Sequence, residues 1–281
     1  MDIIKETVLL IRDNTEWLYT IIYQNKFFFI DFWSILHFLS GMLFIALICW
    51  FNTKKIWLKL LLILLSYEII EISLYFFSLK IFLPEILKDQ VTDIFIGLLG
   101  GIFYYYFIKS HSERLLNYLI MIVSVFFVSF IWVGSYGYKY NVEIFNTSGI
   151  NIWAFILWFC AGLLVLFGYK SLFNSYKTEI KKFFVVYLFY LIFLFILEIL
   201  GQHIFLIHEI SKSNSKALLF DLIHGTRVLH IFYLSAPFIL ISTYKIFYLI
   251  SYKSYKKVNN SSGMSFVFSK ILTSRKNSLS I

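Results

Sequence analysis

The sequence predicts an all-α, polytopic membrane protein, a transmembrane helical bundle of about seven helices. First, 60% of its 281 residues are hydrophobic and 21% are aromatic, a composition too apolar for a soluble domain. Second, the apolar residues form continuous runs that are long enough to cross a membrane. Third, only 2 prolines and 12 glycines occur, so few helix breakers interrupt these runs, whereas a transmembrane barrel would show short alternating segments.

The chain carries 25 Lys and Arg against 16 Asp and Glu. In a soluble protein this excess would suggest nucleic-acid binding. Here the basic residues fall in loops and in the tail after Tyr252, so anionic lipid headgroups and membrane orientation explain them better, and we expect no nucleic-acid partner. Cys49 and Cys160 lie inside apolar runs and show no disulfide or metal-type spacing.

Residues 1–30 are predicted to form an interfacial segment. Charged residues are scattered among the apolar ones, so this region lacks the layout of a signal peptide. We expect residues 3–24 to form an amphipathic helix on the membrane surface, with Trp17, Tyr19 and Tyr23 at the level of the lipid headgroups.

Residues 31–250 are predicted to form the transmembrane domain. At about 20 apolar residues per span, it holds seven helices. They cover roughly residues 32–51, 56–79, 91–108, 115–134, 151–169, 183–206 and 226–250. Residues 251–281 are rich in Ser, Lys and Asn and are predicted to be a basic, disordered cytoplasmic tail.

Basic residues concentrate in alternate loops, and this asymmetry predicts the orientation. One side carries Lys54, Lys55, Lys109, Arg114, Lys170, Lys177, Lys181, Lys182 and the basic residues of the tail. By the positive-inside rule this side is cytoplasmic, so the N-terminus lies outside and the C-terminus inside, and we expect the inner membrane as the location.

Unusual polar residues cluster near the predicted outward ends of the helices. They are Asp31, His37, Glu68, Glu71, Asp89, Asp93, Glu198, Gln202, His203, Asp221, His224, Arg227 and His230. A charged side chain at the bilayer centre costs at least about 2–3 kcal/mol, so such residues usually face a partner or a water-filled cavity. The sequence therefore predicts an acid/histidine cavity that opens to the extracytoplasmic side.

Glu68 and Glu71 are three residues apart and share one helix face. If both are desolvated, their repulsion keeps one of them protonated, as a general acid or a proton carrier requires. We predict a catalytic set of these two glutamates with His37, Asp93 and Glu198. The alternative is structural, with one glutamate bonded to a neighbouring helix and the other reaching the interface.

His37, Glu71 and Asp93 lie at similar predicted depth, which suits either a hydrogen-bond network or a metal site. The sequence has no His-x-x-x-His or His-Glu-x-x-His motif, so a metal and any other cofactor stay open. Gly41, with Gly97, Gly100 and Gly101, is predicted to allow close helix packing.

Asp221, His224 and Arg227 follow an i, i+3, i+6 pattern that predicts one stripe leading into the seventh helix. Arg227 could clamp a phosphate or carboxylate, and with His203 these residues form the predicted substrate-binding set. Alternatively, Arg227 pairs with Asp221 and closes the loop, and His203 is a solvated interface residue.

A faint internal repeat relates the two halves of the chain. Glu71 precedes Asp93 by 22 residues, and Glu198 precedes Asp221 by 23. The pattern fits two parallel three-helix repeats joined by one helix, an arrangement known among transporters, in which these acids would share one site. Chance similarity in a sequence this rich in Leu, Ile and Phe is the alternative.

Residues 31–101 resemble the VanZ-like superfamily of small bacterial inner-membrane proteins. The elements that match are Asp31-x5-His37-Phe38-x-x-Gly41, Tyr67-Glu68-x-x-Glu71, and Asp89-x-x-x-Asp93-x-x-x-Gly97 with Gly100-Gly101. Members of the superfamily more often carry the Asp closer to the His and a longer polar loop before the third helix. The resemblance implies an envelope-associated membrane protein and leaves the substrate open.

Together these features favour an envelope enzyme that acts on a lipid or lipid-linked substrate, with membrane lipids as its partners. The alternatives are a proton- or ion-coupled transporter, which the repeat supports, and a non-catalytic scaffold in which the acids only staple helices. The inner halves of the spans hold few ionisable residues apart from Lys59 and Lys245, which favours the enzyme over a polar path across the membrane.

Overall fold

A computed structural model describes residues 14–51, 54–74, 86–172, 178–210, 216–218 and 223–277, with the backbone alone for 216–218, 223–225, 227 and 260–277. Seven α-helices account for most of these residues. They are α1 (Phe32–Trp50), α2 (Ile56–Leu74), α3 (Leu87–Ser110), α4 (Glu113–Tyr136), α5 (Ile152–Ser171), α6 (Glu179–Ile199) and α7 (Arg227–Asn277). The predicted all-α helical bundle is confirmed.

Six of the seven described helices are long and apolar enough to cross a membrane. The exception is α2, whose 19 residues include Lys59, Glu68 and Glu71. Each of the seven predicted spans overlaps one described helix. The protein is therefore an integral, multi-pass membrane protein.

The segment before α1 differs from the prediction. Of the predicted amphipathic helix over 3–24, Asn14 and Thr15 are helical, whereas the described residues that follow form a 3-10 turn (Glu16–Tyr19) and then an antiparallel hairpin of β1 (Ile21–Gln24) and β2 (Phe29–Asp31). The side chain of Asn25 accepts hydrogen bonds from the backbone of Phe27 and Phe28, both at 2.7 Å. This Asx turn, together with the β-branched and aromatic residues of β1, favours a hairpin over a helix. Residues 3–13 lie outside the described residues.

A second hairpin precedes α7. Strand β3 (Lys216–Leu218) pairs antiparallel with β4 (Ile223–Gly225), and α7 begins at Arg227. The predicted helical stripe through His224 and Arg227 is therefore wrong, because His224 belongs to a strand. Asp221, the third member of that stripe, lies outside the described residues.

The chain divides into two compact units. The first contains the β1–β2 hairpin, α1 to α3, the start of α4 and the end of α7. The second contains the rest of α4, then α5, α6 and the first part of α7. The repeat that compares α1–α3 with α5–α7 stays a prediction.

In the first unit, α1 and α3 cross in direct backbone contact. A Cβ atom on Gly41 would lie 1.9 Å from the carbonyl oxygen of Gly97, and one on Gly100 would lie 2.0 Å from that of Phe38. Helix α2 packs on the same crossing through Leu60 and Leu64. The predicted close packing at these glycines is confirmed, and it brings the polar faces of three helices together.

Helix α7 continues through Asn277, although the sequence predicts a disordered tail from residue 251. Ser251, Ser254 and Val258 recur at helical spacing, and all three are buried in the first unit. The side chain of Asn259 donates a hydrogen bond of 3.1 Å to the carbonyl of Ile108. The predicted start of the tail, residue 251, is therefore too early in the chain. The polar composition of this segment did not indicate that its small residues pack against the first unit.

The core of the second unit is aromatic. Val133, Tyr136, Tyr138, Ala154, Leu229 and Tyr233 form its buried centre. Asn151 caps α5 by accepting a hydrogen bond from the backbone of Ala154 at 3.1 Å, and its amide donates to the carbonyls of Tyr138 and Phe145. The loop between α4 and α5 is thereby fixed against the start of α5.

Candidate functional site

The first polar cluster begins at the N-terminus of α1. Asp31 is the N-cap, and its carboxylate accepts a hydrogen bond of 3.0 Å from the backbone amide of Ser34, while the Asp31 amide donates to the Ser34 hydroxyl oxygen. This capping box explains why the helix starts here. Burial raises the pKa of the Asp31 carboxyl, although the hydrogen bonds from Ser34 lower it in part.

Helix α3 adds two more carboxylates. Asp89 and Asp93 are four residues apart, so they lie one turn apart on the same face. The Ser34 hydroxyl donates a hydrogen bond of 2.8 Å to Asp93 Oδ1. One carboxylate oxygen from each of Asp31, Asp89 and Asp93 lies within 4.8 Å of the other two, and these residues are 1%, 3% and 1% exposed.

His37 lies between carboxylates of two other helices. Its Nε2 lies 3.5 Å from Asp93 Oδ2 on α3, and its Nδ1 lies 3.9 Å from Glu68 Oε1 on α2. The ring of Tyr67 packs edge-on against the imidazole at 5.3 Å. All three polar residues are buried, and both separations are longer than a hydrogen bond, so the imidazole lies between the two acids at ion-pair distance.

Glu71 follows Glu68 by three residues, and both are buried on the one buried stripe of α2, with Leu60 and Leu64. Glu71 lies close enough to interact electrostatically with Glu68 and with Asp89. The predicted shared face of the two glutamates is confirmed by this burial.

Among the predicted catalytic residues, the structure brings together His37, Glu68, Glu71 and Asp93. The residue pattern predicts Asp31 and Asp89 only as members of the outward polar group and does not single out Ser34, although all three belong to this cluster. Two local signals indicate them: an Asp followed by Ser three residues later at a helix start, and the i, i+4 pair of aspartates.

Glu198, the remaining predicted catalytic residue, lies in the second unit. Its carboxylate accepts hydrogen bonds from the Tyr233 hydroxyl at 2.5 Å and from the Gln202 amide at 2.8 Å. Gln202 belongs to a π-helical turn (Leu200–Ile204) that ends α6. Such a wide turn is often found at functional sites.

Glu198 lines a cavity of about 440 Å³ within the second unit. Most of its wall is apolar and aromatic, with Tyr138, Trp153, Trp158 and Tyr190 among the lining residues. The indole nitrogens of Trp132 and Trp158 both donate to the Tyr138 hydroxyl at 3.0 Å, which holds these rings in place. The sequence did not predict these aromatic residues as part of a site.

The predicted substrate-binding residues are only partly described. His203 is exposed on the π-helical turn. Asp221 and the side chains of His224 and Arg227 lie outside the described residues. The prediction that the acids of both halves share one cavity stays a prediction.

Comparison with protein-family models, with curated proteins and with solved structures finds no match. The class of protein is therefore defined by its fold and its buried polar cluster alone. This is a multi-pass membrane protein in which α1, α2 and α3 hold an acid/histidine site. The resemblance to the VanZ-like superfamily stays an expectation from the sequence.

Proposed function

We propose that this protein is an inner-membrane enzyme of the cell envelope whose acid/histidine site acts on a lipid or lipid-linked substrate. The observation that carries the proposal is the position of His37 between Glu68 and Asp93, with all three residues buried. Replacing buried ion pairs by apolar residues is often neutral or stabilising. A protein with a purely structural role would therefore gain little stability from a buried histidine between two carboxylates. The cost of burying these groups at membrane depth favours a chemical role.

His37 is the residue best placed to transfer a proton. A neutral imidazole donates from one ring nitrogen and accepts at the other, and here each nitrogen faces a carboxylate. Asp93 is held by the Ser34 hydroxyl, so it can orient the imidazole for general acid or base catalysis. The sequence suggests one of the two glutamates, Glu68 or Glu71, for this role, whereas the contacts favour His37, with Glu71 as a neighbouring acid.

The cavity of the second unit supports a lipophilic ligand. Sites for small molecules are typically apolar cavities with a few convergent polar groups. The aromatic wall and the Glu198 carboxylate have this character, and a volume of about 440 Å³ accommodates part of a lipid molecule rather than the whole of one.

The proposal can be tested with the protein reconstituted in vesicles of a bacterial total lipid extract that contains lipid-linked sugars. Mass spectrometry of the lipids over time should show one species converted by the wild type. We expect His37→Gln and Asp93→Asn to slow this conversion by about 10²–10⁴-fold, the usual contribution of general acid–base catalysis. Glu113→Gln, which removes an exposed carboxylate of α4, is the matched control and should leave the rate unchanged.

Lipid profiles that are identical for the wild type, His37→Gln and protein-free vesicles would refute the enzymatic role. The same vesicles loaded with a pH-sensitive dye separate the transporter alternative, because proton flux that depends on His37 without lipid conversion would favour transport.

A further inference from the structure

We infer that Asp31, Asp89 and Asp93 bind a divalent cation that prefers oxygen ligands, such as Mg²⁺, Mn²⁺ or Ca²⁺. One oxygen of each carboxylate lies within 4.8 Å of the other two. These ions hold their oxygen ligands at about 2.0–2.6 Å, so two oxygens on the same ion are separated by at most about 4–5 Å. The mutual separation of the three carboxylates is therefore compatible with ligands around one ion.

A separate observation points to a ligand at the same place. Asp89 Oδ1 has no hydrogen-bond partner although the residue is almost fully buried, and Asp93 Oδ2 makes no hydrogen bond and faces only the His37 imidazole, at 3.5 Å. Glu68 Oε2, on another helix, is a third buried oxygen without a hydrogen-bond partner. More than about 90% of buried polar atoms are hydrogen-bonded, so several orphan oxygens in one region indicate a bound cation or protons shared between the acids.

Among the described lysines, Lys88 interacts electrostatically with Asp89 but forms no ion pair with it, so the charge of the three carboxylates is balanced only in part. The nearest lysine in sequence, Lys88, donates to the carbonyl of Asn25 at 2.8 Å, and its Nζ lies 5.7 Å from the centre of the Phe29 ring. Within the described residues, no Lys or Arg nitrogen lies within 4.0 Å of the three aspartates. Three carboxylates this close cannot all be ionised without a cation among them.

The donors also define the class of ion. Three carboxylates, without a cysteine, suit a hard cation, whereas zinc usually takes nitrogen or sulfur ligands. His37 contacts Asp93 from outside the cluster at 3.5 Å, and Ser34 donates to Asp31 through its backbone amide and to Asp93 through its hydroxyl. These two residues are placed to orient the ligands, as the outer partners of metal ligands commonly do.

This inference concerns ion binding and holds whether or not the site turns over a substrate. Its test uses the full-length protein in phosphatidylcholine nanodiscs, treated with EDTA and titrated with Mn²⁺. Electron paramagnetic resonance of free Mn²⁺ should show one equivalent bound, which excess Mg²⁺ or Ca²⁺ displaces and Na⁺ does not. Empty nanodiscs measure binding to the lipid.

Variants of the aspartates and of His37 test where the ion binds. Asp89→Asn and Asp93→Asn should lose saturable Mn²⁺ binding, and Glu113→Gln should retain it. His37→Gln removes an outer partner and should weaken binding by roughly 10–100-fold. Because the asparagine variants relieve repulsion among the acids, we expect them to fold, with a thermal midpoint in EDTA no lower than that of the wild type.

Two results would overturn the inference. One is a wild type that binds no more Mn²⁺ than empty nanodiscs, and this result counts even if a variant fails to fold. The other is unchanged binding in Asp89→Asn. If the lipid assay shows no conversion, Mn²⁺ binding to the wild type and to the variants can still be measured. The ion site and the proposed enzymatic role are therefore tested separately.

Discussion

His37 Nε2 lies 3.5 Å from Asp93 Oδ2, in a site where both side chains are almost completely excluded from solvent. The contact joins α1 to α3, directly beside the glycine crossing that brings these two helices together. The chemistry of the site and the packing of the first unit therefore depend on the same pair of helices.

We expect the effects of His37→Gln and Asp93→Asn on the free energy of unfolding to be non-additive. Residues in one buried network typically show coupling energies of about 0.5–3 kcal/mol. Unfolding of the two single variants, the double variant and the wild type in mild detergent measures this coupling. His37→Gln combined with the exposed Glu113→Gln serves as the comparison and should be additive within about 0.5 kcal/mol. Additivity of the first pair would show that the 3.5 Å contact carries no energy.

Gly41→Ala should destabilise the protein by about 1–3 kcal/mol or more, because the new Cβ would overlap the carbonyl oxygen of Gly97. The helices can relieve this overlap only by separating. Gly168→Ala on α5 is the control, since its Cβ would meet nothing within 4 Å. It should be neutral or stabilising by up to about 1 kcal/mol through helix propensity. Thermal midpoints in detergent provide the measurement, and equal midpoints for the two variants would contradict the described crossing.

Tyr233→Phe should cost about 1.5–3 kcal/mol, because it removes a hydrogen bond of 2.5 Å to the carboxylate of Glu198. Tyr190→Phe is a matched change in the wall of the same cavity. The hydroxyl of Tyr190 is buried and has no hydrogen-bond partner, so its removal should be neutral or stabilising. Chemical unfolding of both variants checks the contrast, and the reverse order of stability would exclude the described hydrogen bonding.

The basic loops predict that the α3–α4 connection is cytoplasmic and the α4–α5 connection is extracytoplasmic. Ser112→Cys and Ser148→Cys place single exposed thiols in these loops, after Cys49 and Cys160 are replaced by alanine. In intact cells a membrane-impermeant maleimide should label Cys at position 148 and reach position 112 only after the membrane is permeabilised. Labelling in the opposite order would reverse the orientation and place the acid/histidine site on the cytoplasmic side.

The sequence alone determined the class of protein and the approximate start of each of the seven described helices, because the energetic cost of placing polar groups in lipid imposes long apolar runs. It also located His37, Glu68, Glu71 and Asp93, since charged residues at membrane depth are rare enough to stand out. Helical periodicity was sufficient to place the two glutamates on one face.

Only the tertiary structure decided which of these groups meet. The contact between His37 and Asp93 depends on a crossing of α1 and α3, and no local pattern encodes a pairing of residues 56 positions apart. The hairpin of β1 and β2 was missed because the Asx turn at Asn25 overrides the amphipathic pattern. Ser254 was assigned to a disordered tail because composition does not show that a small side chain fits against a neighbouring helix. Composition and periodicity also do not show that Asp31 and Asp89 converge on Asp93. Periodicity reports which residues share a face of one helix, whereas the distances between faces are set by the packing of the whole unit.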